Sequence, residues 1–543
     1  MMSDHRKVFK AIPHAPSGEI AANNEYSNDL LYYDFNNTLM LCRSESMFDH
    51  FLIYGFKSIH DKKPSALYHF PTDEATTIQQ RYGISIEGLA EFCFPKHVIE
   101  DDSDEAYQSI LDDRESATRK VMDSTFIFTL GVDMPEDKIP QAFKDISKGA
   151  PRLVKYGFCV MTKEPEGMYP SVSQEWRSSR RVGGEELACG RLNLTRRCYC
   201  IISANPAFAI LYQFMDAFIT RERLTIKRSA GLVQTATSPR DATLQMLEKF
   251  YAVQVPKPNQ SKCFRLKHDL REEIFSFSKT TKDGLIAEWC FPPTFKIVNT
   301  NSLLRVLAFL MMEASLIVST LSSGIASAVI FTFLMLMRPL SWTGSIMTVV
   351  PASSGNEIYV SFMNYICYTH RDIDELIGKT RSDVVMFGLD STPLRCRIPK
   401  QSWGFKFEIP YTKKLKATLA DMQRAIKEHM YMKEVNIVMK AFQKFQCKLL
   451  YKILRNISPL QLDIFKETPK DLATLWYKSN PKRTNNDLKK AFVTRFVSTV
   501  SFGAFIEEFG DTVLRVIYHS NLREVKKFED CFKSMRKKLF LKL

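Results

Sequence analysis

The chain has 543 residues, 45% of them hydrophobic, and a formal net charge of +15 at pH 7. This length and apolar content predict two or more domains with real cores, which argues against a mostly disordered chain. The positive charge favours acidic partners, namely a phospholipid surface or an acidic protein face, and no motif that docks nucleic acid is present.

The twelve cysteines are scattered singly, mostly inside apolar runs, and the nearest pair is the CxC of Cys198 and Cys200. This usage is typical of reduced, buried thiols in a cytosolic protein and predicts no metal site. The first residues, MMSDHRKVFKAIPH, lack the apolar stretch of a secretory signal. We therefore expect a cytoplasmic protein.

Residues 1–45 are polar and Asn-rich, which predicts an irregular arm. Residues 46–225 contain short apolar segments that predict an antiparallel α/β lobe. Its expected strands, with one closing helix at 207–219, are 51–56, 66–70, 91–95, 126–130, 155–161 and 198–203.

Two charged segments interrupt this lobe. The acidic block at 100–115 predicts a surface loop. The arginines between 177 and 197 fit a phosphate or lipid patch, or an exposed solvated loop. The loop is favoured because no aromatic platform or helix frames them.

Residues 226–284 are predicted to connect this lobe to a second one, with a short helix at 241–251. Residues 263–289 are predicted to contain two more short strands, before Phe291-Pro292-Pro293. The α/β core of the second lobe is expected over residues 285–400.

The most apolar part of this core is Leu303–Pro351, and two interpretations compete for it. Residues 314–337 contain no charged residue over 24 positions, which is long enough to cross a bilayer. However, turn and cap residues at 321–324 and the Arg338-Pro339 pair divide the segment. We favour a helix at 303–312, a strand at 315–320, a helix at 325–337 and a strand at 345–350, which form a parallel βαβ unit buried on both faces. The last strand of the core is expected at Asp383–Leu389.

Residues 401–543 are predicted to be helical, with helices at 416–430, 435–456, 485–500 and 502–519. The end of the chain, 521–543, mixes basic and apolar residues. Either it lies on an anionic membrane or it caps the helical domain. The basic residues of the membrane interpretation are Lys526, Lys527, Lys533, Arg536, Lys537 and Lys538.

No motif of a covalent catalyst is present. Gly378-Lys379-Thr380 lacks the earlier glycine of a phosphate-binding loop, because that position is Ile373. His370-Arg371-Asp372 lacks the asparagine of a kinase catalytic loop. The sequence therefore predicts recognition and conformational work, without a cofactor.

The order of the segments from residue 47 to about 509 resembles a tripartite DENN domain, with upstream, central and downstream parts. The upstream pattern is carried by FLIYGF, Phe70-Pro71, EFCFP, FIFTL and YGFCVM. The central pattern is carried by CYCIIS, LLRVLAFLMME, SLIVSTLS, IASAVIFTFLMLM, RPLSW, IMTVVP, ELIGKT and VVMFGLDS. The downstream pattern is carried by AFVTRFVSTVSFGAFIEEF at 491–509.

The resemblance implies an α/β protein of two lobes, with a longin-like N-terminal lobe and a parallel-sheet C-terminal lobe followed by helices. It implies a guanine-nucleotide exchange factor that binds a Rab-type GTPase in the groove between the lobes, peripheral to vesicle or endosomal membranes. A DENN-fold scaffold without exchange activity is the alternative.

The contact residues are expected where parallel strands end, because α/β sheets present loops at the carboxyl ends of their strands. Asp390 also fits a turn or cap carboxylate, since Pro393 follows closely. The nominated residues are Ser353, Ser354, Asn356, Glu357, Asp390 and Ser391.

Overall fold

The structure is a computed structural model, and it describes residues 31–33, 39–41, 46–57, 61, 63–71, 78, 84–95, 122, 124–133, 152–165, 170–173, 194–227, 239–255, 262–268, 271–277, 281–351, 359, 364–381, 383–390, 394–397, 408–425, 432–455, 457, 469–479, 487–522 and 528–540. Within these ranges the chain is an α/β protein with two sheets of five strands and a series of trailing helices, as predicted. The boundaries expected for the five segments stay predictions. The acidic block at 100–115 and most of the arginine-rich segment lie outside the described residues.

The N-terminal lobe contains an antiparallel sheet in the order β4-β3-β7-β6-β5. Its strands are β3 (His50–Gly55), β4 (Ser65–Phe70), β5 (Thr125–Asp133), β6 (Arg152–Pro165) and β7 (Leu194–Ser203), preceded by a hairpin of β1 (Leu31–Tyr33) and β2 (Leu39–Leu41). Side chains alternate between its faces. Phe51 and Ile53 join the large core that contains α2 (Phe208–Lys227), whereas Leu52 and Tyr54 join a smaller core that contains α1 (Ile86–Cys93).

Helix α1 corrects the expectation of a strand at 91–95. Ser85 caps the helix by accepting a hydrogen bond from the Gly88 N–H at 3.0 Å. Leu89, Ala90 and Cys93 are buried at helical spacing. The apolar period therefore outweighs the β propensity of the Phe92 and Phe94 rings.

Strand β7 corrects the expectation of an exposed loop for the arginines between 177 and 197, because it contains Arg196 and Arg197. Arg197 is only 2% exposed. Its side chain is buried beside an acidic partner on α2, so the run of arginines does not behave as one solvated segment.

Two helices and a hairpin connect the lobes. Helix α3 (Pro239–Tyr251) and the strands β8 (Lys262–His268) and β9 (Arg271–Phe277) confirm the elements predicted there. Helix α4 (Lys282–Ile297) was not predicted, because it continues through Pro292 and Pro293. The hydroxyl groups of Thr294 and Thr332 both donate to the Cys290 carbonyl, which ties α4 to α6.

The C-terminal lobe contains a sheet in the order β11-β12-β10-β13-β14, with four parallel strands and an antiparallel β14. Helix α5 (Thr300–Met311) precedes the sheet, and helix α6 (Ser323–Met337) follows its central strand β10 (Leu316–Ser319). The remaining elements are β11 (Ser345–Met347), β12 (Tyr365–Thr369), α7 (Ile373–Leu376), β13 (Val385–Gly388) and β14 (Arg395–Arg397).

The sequence predicted β10, α6 and β11 correctly as parallel strands and a crossover, but it missed β12. This strand lies between β10 and β11, so the two strands of the predicted unit are not neighbours. Strand β11 is an edge strand with an exposed Ser345, and it is therefore not buried on both faces. Strand β14 follows β13, so Asp383–Leu389 is not the last strand.

Residues 314–337 contain a strand, a turn and a fully buried helix of 15 residues instead of one long span. Among the described residues, no helix combines the length and the hydropathy that a membrane crossing requires. The membrane-span interpretation therefore has no support.

The trailing helices are α8 (Lys413–Ala425), α9 (Met432–Leu454), α10 (Pro469–Ser479), α11 (Asp487–Phe496), α12 (Val500–Leu522) and α13 (Phe528–Leu539). They confirm the four predicted helices, and α10 is additional. Helix α13 packs against α9 and α12. Its apolar residues Cys531, Phe532, Met535 and Leu539 are buried there. The basic end of the chain therefore packs onto the helical domain, which is one of the two alternatives considered for it.

Candidate functional site

The candidate site is the carboxyl edge of the parallel sheet, where β10, β12 and β13 end side by side at Ser319, Thr369 and Gly388. Loops that leave this edge are where α/β sheets bind their partners. The strands are buried along their whole length.

Asp390 fixes two of these strand ends to each other. Its carboxylate accepts hydrogen bonds from the Thr320 hydroxyl at 2.9 Å and from the Leu321 N–H at 2.7 Å. Burial raises the pKa of the neighbouring Tyr368, and the Asp390 carboxylate raises it further. Asp390 thus positions the turn after β10, which is the structural role that the sequence left open for it.

A second set of hydrogen bonds fixes the end of β12. The Ser319 hydroxyl donates to the Arg371 carbonyl at 2.7 Å, and the Thr320 N–H donates to the Thr369 carbonyl at 3.1 Å. The Thr369 hydroxyl accepts from the Arg371 N–H at 3.2 Å. The polar groups at this edge therefore hold the loops in one arrangement.

The segment that resembled a kinase triplet follows β12 and has a structural role. The Asp372 carboxylate accepts a hydrogen bond from the Asp374 N–H at 2.8 Å and caps the short helix α7. Arg395 on β14 forms ion pairs with Asp372 at 3.7 Å and with Asp374 at 3.0 Å. Gly378 is a turn residue with a φ of +83° after α7.

Leu321 is the apolar group that this edge presents to solvent. Its side chain is 57% exposed although its backbone is held by Asp390. An exposed leucine on a rigid turn is suited to contact another protein, because docking removes apolar surface at little cost in ordering.

The N-terminal lobe packs against the same edge. Ser322 caps α6 by accepting from the Ile325 N–H at 3.3 Å, and its hydroxyl donates to the Met122 carbonyl at 3.3 Å. A Cβ atom at Gly324 would lie 1.9 Å from the Met122 oxygen and 2.0 Å from the Thr125 oxygen. The absence of a side chain at Gly324 therefore lets the start of β5 approach the start of α6, and Leu321 lies beside the junction of the two lobes.

A buried charge cluster lies within the N-terminal lobe, between β6, β7 and α2. Arg197 lies 3.6 Å from Glu222, and both side chains are almost fully buried. Glu222 also accepts a hydrogen bond from the Ser171 N–H at 3.0 Å. Burial raises the pKa of Glu222 despite the opposing effect of Arg197. The nearby Glu164 carboxylate accepts from Arg223 at 2.9 Å.

Of the six nominated contact residues, the structure describes Asp390 alone. The five others, Ser353, Ser354, Asn356, Glu357 and Ser391, lie outside the described residues. Lys526 and Lys527 also lie outside them, while Lys533, Lys537 and Lys538 are exposed on α13 among the trailing helices. Arg536 is half-buried and donates to the Gln443 side chain at 2.8 Å.

Sequence reasoning missed Thr320, Leu321 and Ser322 as members of the site. Thr320 was assigned to the end of the predicted strand, and Leu321 and Ser322 were interpreted only as turn residues, although all three follow the central strand directly. The available signal was a leucine between two hydroxyl residues in a turn, where an apolar side chain is expected to face solvent.

Comparison with known proteins identifies one family. Residues 194–392 match the family model of the DENN (AEX-3) domain. This range contains β7, the connecting elements and the parallel sheet up to Asp390. No curated protein sequence matches the chain.

Proposed function

We propose that the chain, whose residues 194–392 match the DENN (AEX-3) domain, is a guanine-nucleotide exchange factor for a Rab-type small GTPase. The observation that carries this proposal is that the family match includes the hydrogen-bonded sheet edge at the lobe junction. We also propose that the segments on either side of residues 194–392 are the upstream and downstream parts of a tripartite DENN domain. The N-terminal lobe is longin-like in this proposal.

The activity requires no nucleophile. A protein that binds the nucleotide-free form of a GTPase more tightly than the GDP form must weaken GDP binding by the same factor. An acceleration of useful size corresponds to about 3 kcal/mol or more of coupling, at about 1.4 kcal/mol per tenfold change. Contacts that hold the switch segments of the GTPase away from Mg²⁺ and phosphate supply this coupling.

The surface that fits this role is the edge around Leu321 together with the start of β5. Leu321 offers apolar area, and Asp390 and Thr320 keep its backbone from moving when a partner binds. In the proposal the two lobes therefore act as one preorganised surface on the GTPase.

The test is release of a fluorescent GDP analogue from a panel of Rab proteins, measured by stopped flow with and without the protein. We expect one Rab or a small subset to release GDP faster in proportion to the concentration of the protein. A folded protein that accelerates none of them contradicts the proposal. Binding that does not prefer the nucleotide-free GTPase identifies the alternative, a DENN-fold scaffold without exchange activity.

We further propose a cytoplasmic protein that associates peripherally with anionic vesicle or endosomal membranes through α13. The exposed lysines Lys533, Lys537 and Lys538 supply an electrostatic contact worth about 1 kcal/mol for each charge near the surface. The apolar face of α13 is buried, so the contact is one of charge and not of insertion. We expect the protein to float with phosphatidylserine vesicles in low salt and to lose this binding when the three lysines are replaced by glutamate.

A further inference from the structure

Four cysteines from three separate parts of the sequence lie close together inside the N-terminal lobe. Cys93 ends helix α1, Cys159 lies on β6, and Cys198 and Cys200 lie on β7. The sulfur atoms of Cys93, Cys159 and Cys198 all lie within 4.8 Å of one another. Among the described residues, this is the group of His, Cys, Asp and Glu side chains that has the spacing of a metal site.

The sheet register brings the β-strand cysteines together. Cys159 is directly opposite Cys200 in the antiparallel pair of β6 and β7. Cys198 is two residues from Cys200 and therefore lies on the same face of the sheet. Helix α1 lies against this face and contributes Cys93. The cysteines are distant in the sequence, so their proximity becomes visible only in the fold.

The distances among Cys93, Cys159 and Cys198 fit three corners of a tetrahedral thiolate site, whereas the Cys200 sulfur lies outside this group and has to move to complete it. A zinc–sulfur bond of about 2.3 Å places neighbouring sulfur atoms about 3.8 Å apart. The sulfur atoms of Cys93 and Cys159 are 3.9 Å apart. The other two pairs need to contract by no more than about 1 Å to reach the same geometry.

The surroundings fit a closed structural site. All four cysteines are at most 1% exposed, in a core that includes Leu52, Tyr54, Phe94, Phe126 and Phe128. Soft sulfur ligands select Zn²⁺ over the hard cations Mg²⁺ and Ca²⁺. Isolated buried cysteines behave as small apolar residues. Convergence of three thiols from three elements is not required for that role.

We propose that the N-terminal lobe binds one structural Zn²⁺ ion through Cys93, Cys159 and Cys198, with Cys200 as the fourth ligand. Each thiol that becomes a ligand releases its proton to solvent. The ion ties α1 to the central strands β6 and β7, and it supplies part of the folding energy of this lobe. This site does not depend on the proposed exchange activity.

The test measures metal directly. The full chain, produced without a metal-affinity tag, is analysed for zinc by mass spectrometry, and we expect about one ion per chain, as in structural sites. Cys159→Ser and Cys198→Ser are expected to lose the ion. Cys290→Ser is the matched control, because Cys290 is equally buried but lies in α4, and it is expected to keep the ion.

A second measurement applies if a ligand variant fails to fold. The wild-type protein is stripped of zinc with a chelator and refilled with Co²⁺, which should give the thiolate-to-cobalt charge-transfer absorption of a tetrahedral sulfur site. Folded wild-type protein that contains no zinc and shows no such absorption overturns the proposal. Retention of zinc by both folded ligand variants overturns it as well.

Discussion

Glu313 accepts two hydrogen bonds from Ser501, one from the backbone N–H at 2.7 Å and one from the hydroxyl group at 2.8 Å. Its carboxylate also accepts from the Val500 N–H at 3.0 Å. Val500 and Ser501 begin α12, so a carboxylate from the turn between α5 and β10 caps a helix that follows it 187 positions later. The interaction joins the trailing helices to the core.

Replacement of this cap tests how firmly the helices are held. Glu313→Ala removes acceptors for three donors at a helix N-terminus, which is expected to reduce the free energy of unfolding by about 2 kcal/mol. Urea denaturation followed by circular dichroism measures the change. Glu507→Gln, at an exposed position of the same helix, should change the stability by less than about 0.5 kcal/mol. Equal effects of the two variants would remove the special role of Glu313.

A pair of glycine variants tests the junction of the lobes. Gly324→Ala places a methyl group against the Met122 and Thr125 carbonyl oxygens, and we expect a loss of about 3 kcal/mol or more. Gly503→Ala meets no atom within 4 Å on α12, so it should stabilise the protein by about 0.5–1 kcal/mol. Thermal denaturation of the two variants is expected to give shifts of opposite sign. A neutral Gly324→Ala would show that the lobes are not in contact there.

The buried pair of Arg197 and Glu222 is expected to be sensitive to removal of one partner. Arg197→Met leaves the carboxylate buried without its cation, which should cost about 3–5 kcal/mol near neutral pH. The double variant Arg197→Met with Glu222→Gln should recover much of this loss. Denaturant titrations of the single and double variants measure the difference.

The effect of Arg197→Met also has a predicted pH dependence. The pKa of Glu222 is raised above its ordinary value of 4.5, mainly by burial, and removal of Arg197 raises it further. A raised carboxyl pKa means that the folded state binds more protons, so stability falls as the pH rises from the unfolded pKa through the folded pKa. The defect of Arg197→Met should therefore be smallest in acid and grow as the pH rises. A defect independent of pH would assign the loss to packing.

His69 predicts a loss of stability on acidification. Burial lowers its pKa to about 4 from 6.5, and its ring lies beside His50, with 3.3 Å between their nitrogen atoms. The unfolded chain takes up a proton at His69 before the folded chain does, so stability present above pH 6.5 is lost as the pH falls toward 4. Urea titrations across this range should show the slope, and His69→Gln should reduce it. An unchanged slope in His69→Gln would place the titration elsewhere.

Leu321 tests the proposed docking edge. Leu321→Ser removes exposed apolar area, which should slow GDP release from the responsive Rab about tenfold while stability changes little. Ile274→Ser on β9 is the matched control, because Ile274 is also 57% exposed but lies in the hairpin between the lobes. Stopped-flow exchange rates separate the two. The same rate for both variants would move the docking surface away from the sheet edge.

The sequence predicted the architecture well where local signals agreed. Turn residues after β10 and the Arg338-Pro339 pair marked the ends of α6, although the segment is apolar enough to suggest a membrane helix. By contrast, β12 and its place between β10 and β11 were not predicted. Strand order depends on packing between distant segments, and no local pattern specifies which strand will lie between two others.

The site was predicted only in part, because its members act through tertiary contacts. Asp390 was nominated from its position after a strand, but its bonds to Thr320 and Leu321 depend on strand pairing across about 70 positions. Arg197 was assigned to a solvated loop because arginines cluster around it. Its partner Glu222 is on a different element, and the sequence alone does not bring the two together.

Strand β10 has only four residues, so it measures about 13 Å from end to end. The trailing helices are attached at its amino end through Glu313, and the N-terminal lobe is attached at its carboxyl end through Ser322 and Gly324. The trailing helices and the N-terminal lobe are thus attached near opposite ends of one short strand. We therefore expect that rotation of either part strains the central strand of the sheet.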